Sequence, residues 1–465
     1  MTGQPVAATP GSAWLAELAW SPAIGLRTDV LIEAAGDRLT RVTPDAEQVP
    51  AGAIRLAGLT MPGLANAHSH AFHRALRGIT EASRGTFWTW RERMYEVADR
   101  LDPDSYLALA TAVYAEMALA GVSCVGEFHY LHHGLAGRPY ADPNEMGRVL
   151  IEAASLAGLR ITLLDACYLS GGLSAAGRQQ PLEGPQLRFG DRDGASWAAR
   201  VEALAPDAAG GLGPGARVGA AIHSVRAVPP ADMRDVVAWS HRYGAPLHAH
   251  VSEQVAENRA CLAAHRATPA EVLSEAGAVG PRSTAVHATH LTGSDIELLG
   301  GSRCHVCFCP TTEADLADGI GPARALADAG SPLTLGSDSH AVIDLLEEAR
   351  RVELGERLAT QQRGHFTAVE LAVAATATGH ASLGWPDAGE LTVGAFADFV
   401  TVALDSPRTA GASGTTALES VIFAASAADV RHLVIGGRAV VTGGQHVSVP
   451  DVPAALASAI AAVLA

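Results

Sequence analysis

The hydrophobic pattern of the chain has two textures. Residues 12 to 60 alternate short apolar runs with turn residues, as in "TDVLIEAAGDRLTRV", and read as small β structure. The same texture returns near the C-terminus in "GELTVGAFADFVTVALDSP" and "VRHLVIGGRAVVTGG". Between them, short β-branched runs alternate with Ala/Leu/Glu/Arg segments of helical period. Eight such runs stand out: "LTMPGLANAHSH", "GVSCVGEFHY", "RITLLDACY", "RVGAAIHSV", "PLHAHVS", "TAVHATH", "CHVCFC" and "PLTLGSD". Eight strands alternating with helices over roughly 300 residues predict an α/β fold, a (β/α)8 TIM-like barrel. The flanking β segments then pack together as one small β-sandwich domain made from both chain ends. The expected boundaries are 1–60 and 385–465 for the small domain and 61–384 for the barrel. The stretch from 170 to 216 is expected to be a long loop with one helix around "DGASWAARVEALA". The final "PDVPAALASAIAAVLA" reads as a terminal helix.

Composition agrees with this picture and removes several function classes. The chain has 465 residues and is 48% hydrophobic, which suits a large α/β body with a smaller partner. It carries 33 basic and 49 acidic residues, a net charge of −16, and every basic residue is Arg. An acidic chain without basic runs argues against nucleic acid or an anionic membrane as partner. The N-terminus shows no basic start followed by an apolar run, so no signal peptide is expected. No run of about 18 uncharged apolar residues occurs, so no membrane span is expected. Six cysteines in so long a chain are no disulfide framework. A cytoplasmic protein is the expectation.

The chemistry sits where the strands end. In a strand, residues i and i+2 share a face, so His68 and His70 of "HSH" both point to the barrel mouth. Active sites of such barrels lie at the C-terminal strand ends. Strand five ends with His248, His250 and Glu253, strand six with His287 and His290, and strand eight with Asp338 and His340. Any one of these histidines alone would be read as a partner of the backbone. Together, His68, His70, His250 and Asp338 form a ligand set for one divalent metal; zinc is expected, and iron(II) fits the same donors. A carboxylated lysine bridging two metals is excluded, because the chain has no Lys. A metal of this kind brings water within reach of ionisation near neutral pH. Glu253, His287 and Asp338 are the candidate catalytic proton handlers. "CHVCFC" places Cys307 and Cys309 on one face, and buried thiols are expected there rather than a second metal site.

This constellation resembles the amidohydrolase superfamily over nearly the whole chain. The marks are "HSH" at 68–70, "HxxE" at 250–253, His287, "SD" at 337–338, and the return segment at 389–402. The HxxE spacing is similar to the deaminating branch, in which the Glu carries a proton to the departing nitrogen. A finer resemblance lies in "HSHAFHRALRGIT", "FWTWRERMY", "GEFHYLHH", "GRPYADP", "HSVRAV" and "CPTTEADLADGIGPA". These strings are similar to the formimidoylglutamate deiminases of histidine degradation. That resemblance implies a hydrolase of C–N bonds in linear amidines, which converts N-formimidoyl-L-glutamate and water to N-formyl-L-glutamate and ammonia. It is compatible with a homodimer.

The substrate so implied is a small dicarboxylate with a cationic end, and carboxylates call for Arg forks. The resemblance assigns Arg91, Arg226, Tyr130 and His223 to the glutamate part. Arg93 is an alternative to Arg91. Where the family often has Gln, this chain has His73 among the substrate contacts; a neutral His also donates and accepts a hydrogen bond. "HYLHH" at 129–133 is assigned to the substrate loop and not to the metal. The competing enzyme reading is a deaminase of a purine or pyrimidine ring, which aromatic pocket walls would favour and paired Arg would not. A barrel without catalysis, serving as a scaffold, would be expected to have lost ligands.

Overall fold

The structure is a computed structural model that describes residues 11–82, 84–204 and 212–465. All eight predicted runs form parallel strands of one sheet. They are β1 (Leu64–Ser69), β2 (Val122–His129), β3 (Arg160–Cys167), β4 (Ala216–Ile222), β5 (Leu247–Val251), β6 (Ser283–His287), β7 (His305–Phe308) and β8 (Leu333–Leu335). Neighbours pair in chain order from β1 to β8. The barrel closes just past the end of β8. Asp338 donates its backbone N–H to the His68 carbonyl at 3.0 Å, and His70 donates to the Asp338 carbonyl at 3.2 Å. The closing bonds therefore lie between three of the four predicted metal ligands. The strands are mostly apolar or small because helices cover the outside and side chains fill the inside.

The two chain ends meet in a second, mixed sheet of eight strands. Phe399–Val402 runs antiparallel to Ile54–Pro62, with Thr401 opposite Thr60. The predicted small domain is thus one hydrogen-bonded sheet, with Trp14, Ile32, Phe399 and Val434 in its own core. Gly58 shows how closely the strands approach: its φ is +109°, and a Cβ there would stand 2.2 Å from the Val402 carbonyl oxygen. A buried fork joins sheet and barrel. Arg160 at the start of β3 donates to both oxygens of Asp398, at 2.6 and 3.1 Å.

The segment after β3 carries more structure than the single predicted helix. It forms a short hairpin (Gly172–Leu173 with Gln179–Gln180), a 3-10 turn (Gly184–Arg188) and the expected helix at Gly194–Val201. Part of that predicted loop, 205–211, lies outside the described residues, as does the very N-terminus. The predicted terminal helix is present at Val452–Leu464 and packs on the helix Pro103–Leu119. No helix among the described residues is long and apolar enough to cross a membrane.

Candidate active site

The residues named at the strand ends converge. His68 Nε2 stands 3.1 Å from His250 Nε2 and 3.3 Å from Asp338 Oδ1, and His70 Nε2 stands 3.3 Å from the same Oδ1. These are the edge lengths of a coordination shell whose ligand bonds are about 2.0–2.1 Å. The backbone fixes the orientation of two of the rings. His70 Nδ1 bonds the Phe128 carbonyl and His250 Nδ1 bonds the His223 carbonyl, each at 2.9 Å. A carbonyl only accepts, so each Nδ1 carries the proton and each Nε2 turns a lone pair inward. Burial lowers the pKa of all three rings, and neighbouring histidines lower it further; His70 falls to about 3. Neutral imidazoles beside a carboxylate are the donor set a divalent cation requires, so these residues fit the group.

His287 differs from its neighbours. Burial alone would lower its pKa, but a hydrogen bond to Glu313, with the charges of Glu253 and Asp338, raises it instead. Its Nδ1 stands 3.4 Å from Glu313 Oε1 and its Nε2 stands 3.8 Å from Asp338 Oδ2. Glu313 is fixed in turn by the Cys309 backbone N–H at 2.8 Å. The backbone is strained at these strand ends. Ser252, His287, Ala288, Asp338 and His340 all have φ between 42° and 67° without being glycine. Left-handed backbone of this kind costs free energy and collects at functional sites.

One cavity of about 250 Å³ opens over the cluster. His70, His250, His287, Asp338 and Glu253 line its floor. Its walls include every residue assigned to substrate: His73, Arg91, Tyr130, His223 and Arg226. His73 Nε2 and the Tyr130 hydroxyl are 2.9 Å apart, so the His at the family's Gln position is held by the neighbouring wall residue. His223 packs against the Tyr168 ring, with centroids 4.4 Å apart. Arg226 donates to Glu253 Oε2 at 3.1 Å. Arg91 lies over the Trp88 ring at 4.6 Å and beside Tyr95 at 5.5 Å.

Helix geometry places Arg91 and Arg93 differently. Both lie on α1 (Phe87–Arg100), and residues two apart face different ways. Arg93 is exposed, pairs with Glu96 at 2.8 Å and does not line the cavity. The other histidines named at strand ends go elsewhere. His248 is buried and bonds the Ser382 carbonyl, and His340 lies between Ser69 and Ser337.

The "HYLHH" tract divides, which corrects its assignment to the substrate loop. Tyr130 lines the cavity, but His129 and His132 turn the other way, towards Asp165. There the Asp165 carboxylate already receives Arg200 at 2.8 Å and Trp197 Nε1 at 3.0 Å. A cation beside this group would meet the Arg200 guanidinium, so a metal is not expected there. Cys307 and Cys309 are buried and free, packed on Ala67 and Val286.

Several residues of the site had escaped the sequence reading. Glu313 lay inside a quoted string, "CPTTEADLADGIGPA", without being singled out. Trp90, Met94 and Tyr95 come from α1, outside the barrel, while Tyr168 and Phe189 follow β3. The signal for the α1 residues is the density of aromatics in "FWTWRERMY"; Tyr168 closes the run "RITLLDACY", and Phe189 lies in no motif.

The model of the amidohydrolase family matches residues 59–440. Over 446 residues the chain is 37% identical to a formimidoylglutamate deiminase of Pseudomonas aeruginosa, covering 94% of this chain and 96% of that one. It is 30% identical over 392 residues to an 8-oxoguanine deaminase of the same species, covering 83% of each. Among solved structures, an amidohydrolase from Brucella melitensis matches with a TM-score of 0.87 and 31% identity, over 98% of this chain and all of that one. A family model that spans most of the chain, and the alignment with these relatives along nearly its full length, lead to one conclusion: the chain belongs to the amidohydrolase family.

Proposed function

We propose that this protein hydrolyses the formimidoyl group of N-formimidoyl-L-glutamate, releasing ammonia and leaving N-formyl-L-glutamate. The observation that carries the reading is the single cavity that joins the His/Asp cluster and Glu253 to Arg91, Tyr130, His73, His223 and Arg226. The 37% identity to a formimidoylglutamate deiminase supports the same substrate. His68, His70, His250 and Asp338 hold one divalent cation, for which zinc is the expected ion. When bound, it supplies the Lewis acidity that brings water towards ionisation at neutral pH.

The chain's own residues do the rest. Asp338 takes the proton from water as its oxygen adds to the formimidoyl carbon. His287, whose pKa is raised by Glu313, Glu253 and Asp338, donates towards the negative charge that develops on that oxygen. Glu253 then takes the remaining hydroxyl proton of the tetrahedral adduct and carries it to the nitrogen; the carbon–nitrogen bond breaks, the oxygen's electron pair forms the formyl C=O, and ammonia leaves. Arg91 and Arg226 receive the carboxylates, and Tyr130, His73 and His223 supply neutral hydrogen bonds. Buried, free thiols fit a protein working in the cytoplasm.

The aromatic walls favour a second reading, deamination of a purine or pyrimidine ring. The guanidinium groups at the wall favour the diacid. Ammonia release by metal-loaded protein decides between them, with N-formimidoyl-L-glutamate, guanine and cytosine run side by side. Release from the first alone is expected. Release from a ring substrate, with none from the diacid, would overturn the proposal.

A further inference from the structure

Glu257 has no part in the chemistry above, yet its fully buried side chain reaches two residues that do. It lies in the first turn of the helix Val255–His265. Its Oε2 accepts the backbone N–H of Glu253 at 3.2 Å. Its Oε1 stands 3.7 Å from Arg226 Nε. Arg226 closes the loop by donating from Nη2 to Glu253 Oε2 at 3.1 Å. Two carboxylates thus share one buried guanidinium.

A carboxylate at a helix N-terminus is common, and the bond to the Glu253 N–H is what such a residue makes. That role does not account for Arg226. A cap can sit at the surface, where it costs nothing in desolvation. Here the carboxyl is shut away from water, and burial pushes its pKa up to about 7, against the pull of Arg226. Arg226 Nε and Glu257 Oε1 have no hydrogen-bond partner among the described residues, so across 3.7 Å they balance each other by charge alone. Without Glu257, Arg226 would face Glu253 as its only paired anion among the described residues.

We propose that Glu257 is a positioning residue for the hydrolysis. It anchors the Glu253 backbone and holds Arg226, and Arg226 then fixes where the Glu253 carboxylate stands. The inference rests on the reading of Glu253 as the proton carrier. It requires that loss of the Glu257 charge displace Glu253 while leaving Arg226 charged and able to meet substrate. A displacement of this order at a reacting group reduces turnover by about 10- to 100-fold.

The test compares Glu257→Gln and Glu257→Ala with wild type, all metal-loaded, with ammonia release from N-formimidoyl-L-glutamate counted per bound metal. Glu257→Gln keeps an acceptor for the Glu253 N–H and loses only the charge. Its kcat is expected to fall about 10-fold or more, and KM, which Arg226 also governs, to rise by less than kcat falls. Glu257→Ala is expected to fall further; should it fail to fold, Glu257→Gln decides. Unchanged kcat in Glu257→Gln, or a raised KM with unchanged kcat, overturns the proposal. The wild type runs first: silence there with metal in place counts against the substrate reading, whereas an active wild type and a dead Glu253→Gln beside an unaffected Glu257→Gln counts against Glu257 alone.

Discussion

The two ends of the cavity are built by different means. At the floor, the groups proposed to ligate metal and handle protons come from the ends of strands that hydrogen-bond to one another. Two of the rings, those of His70 and His250, are fixed by backbone carbonyls at the ends of neighbouring strands. At the outer wall, Trp90, Arg91, Met94 and Tyr95 come from α1, which lies outside the barrel and exposes Trp88 to 49%. This helix is attached through side chains. Buried Arg188 donates to the carbonyls of Ala98 and Leu101 at the end of α1, and to that of His133 at 2.9 Å. The floor is therefore set by the fold itself, whereas the wall depends on a few long-range polar contacts.

The floor should tolerate loss of its metal without losing its shape. Chelation is expected to take ammonia release to background and to leave the circular dichroism spectrum unchanged, with activity restored by added zinc. The reason is that the Asp338 loop is closed on β1 by backbone bonds as well as by ligands. Loss of secondary structure on chelation would break the comparison, because the metal would then be holding the barrel end together.

Glu253→Gln sharpens the same point with a single atom pair. It removes the proton carrier and keeps the shape, so kcat is expected to fall by about 10²–10⁴-fold. Metal content should stay at the wild-type value, since Glu253 is not among the four ligands. Activity near wild type, measured per bound metal, would remove Glu253 from the mechanism.

The same difference in construction decides what could be read from the sequence. His68 and His70 were legible because a strand has period two and barrel sites lie at strand ends. His250, His287 and Asp338 followed from the same rule. The small domain was legible from a β texture that appears at both chain ends. The wall was harder. Which face of α1 turns inward depends on where Arg188 attaches it, and that contact joins residues 90 positions apart. Arg91 and Arg93 were therefore left undecided until the helix was placed. Glu257 and Glu313 were missed for a related reason. A Glu in the first turn of a helix is ordinary in sequence, and only burial against Arg226 or His287 distinguishes it.

The segment after β3 also meets the barrel through side chains, and Arg200 tests how much that contributes. Arg200 on the helix Gly194–Val201 pairs with Asp165 of β3, both buried. Burial would raise the Asp165 pKa, but the Arg200 charge and hydrogen bonds outweigh it and hold the carboxyl well below its usual range. A carboxylate whose folded pKa lies below its unfolded value of about 3.9 stabilises the fold fully above that pH and loses the effect as pH falls. Arg200→Met leaves Asp165 buried without its cation, and stability at pH 7 is expected to drop by about 3–5 kcal/mol. The wild type should lose stability below about pH 4, and the variant should lose less over the same range. Denaturant unfolding at pH 7 and pH 3 measures both. An equal loss in the two proteins would mean that Asp165 does not depend on Arg200.

The smallest effect separates two arginines two positions apart on α1. Arg91 reaches the cavity across Trp88 and Tyr95, and no carboxylate of the described residues pairs with it. Its charge is thus available to an incoming anion. Arg91→Met is expected to raise KM about 10- to 100-fold, the worth of one charged hydrogen bond, with kcat changed by less than about threefold. Arg93 meets only Glu96 in open solvent, where an ion pair contributes little. Arg93→Met should leave KM and kcat within about twofold of wild type. Equal effects of the two variants would show that α1 turns on its attachment when substrate binds, and the wall would then be a moving part against a fixed floor. A change confined to Arg91 means that substrate meets the face of α1 that lines the cavity in this structure.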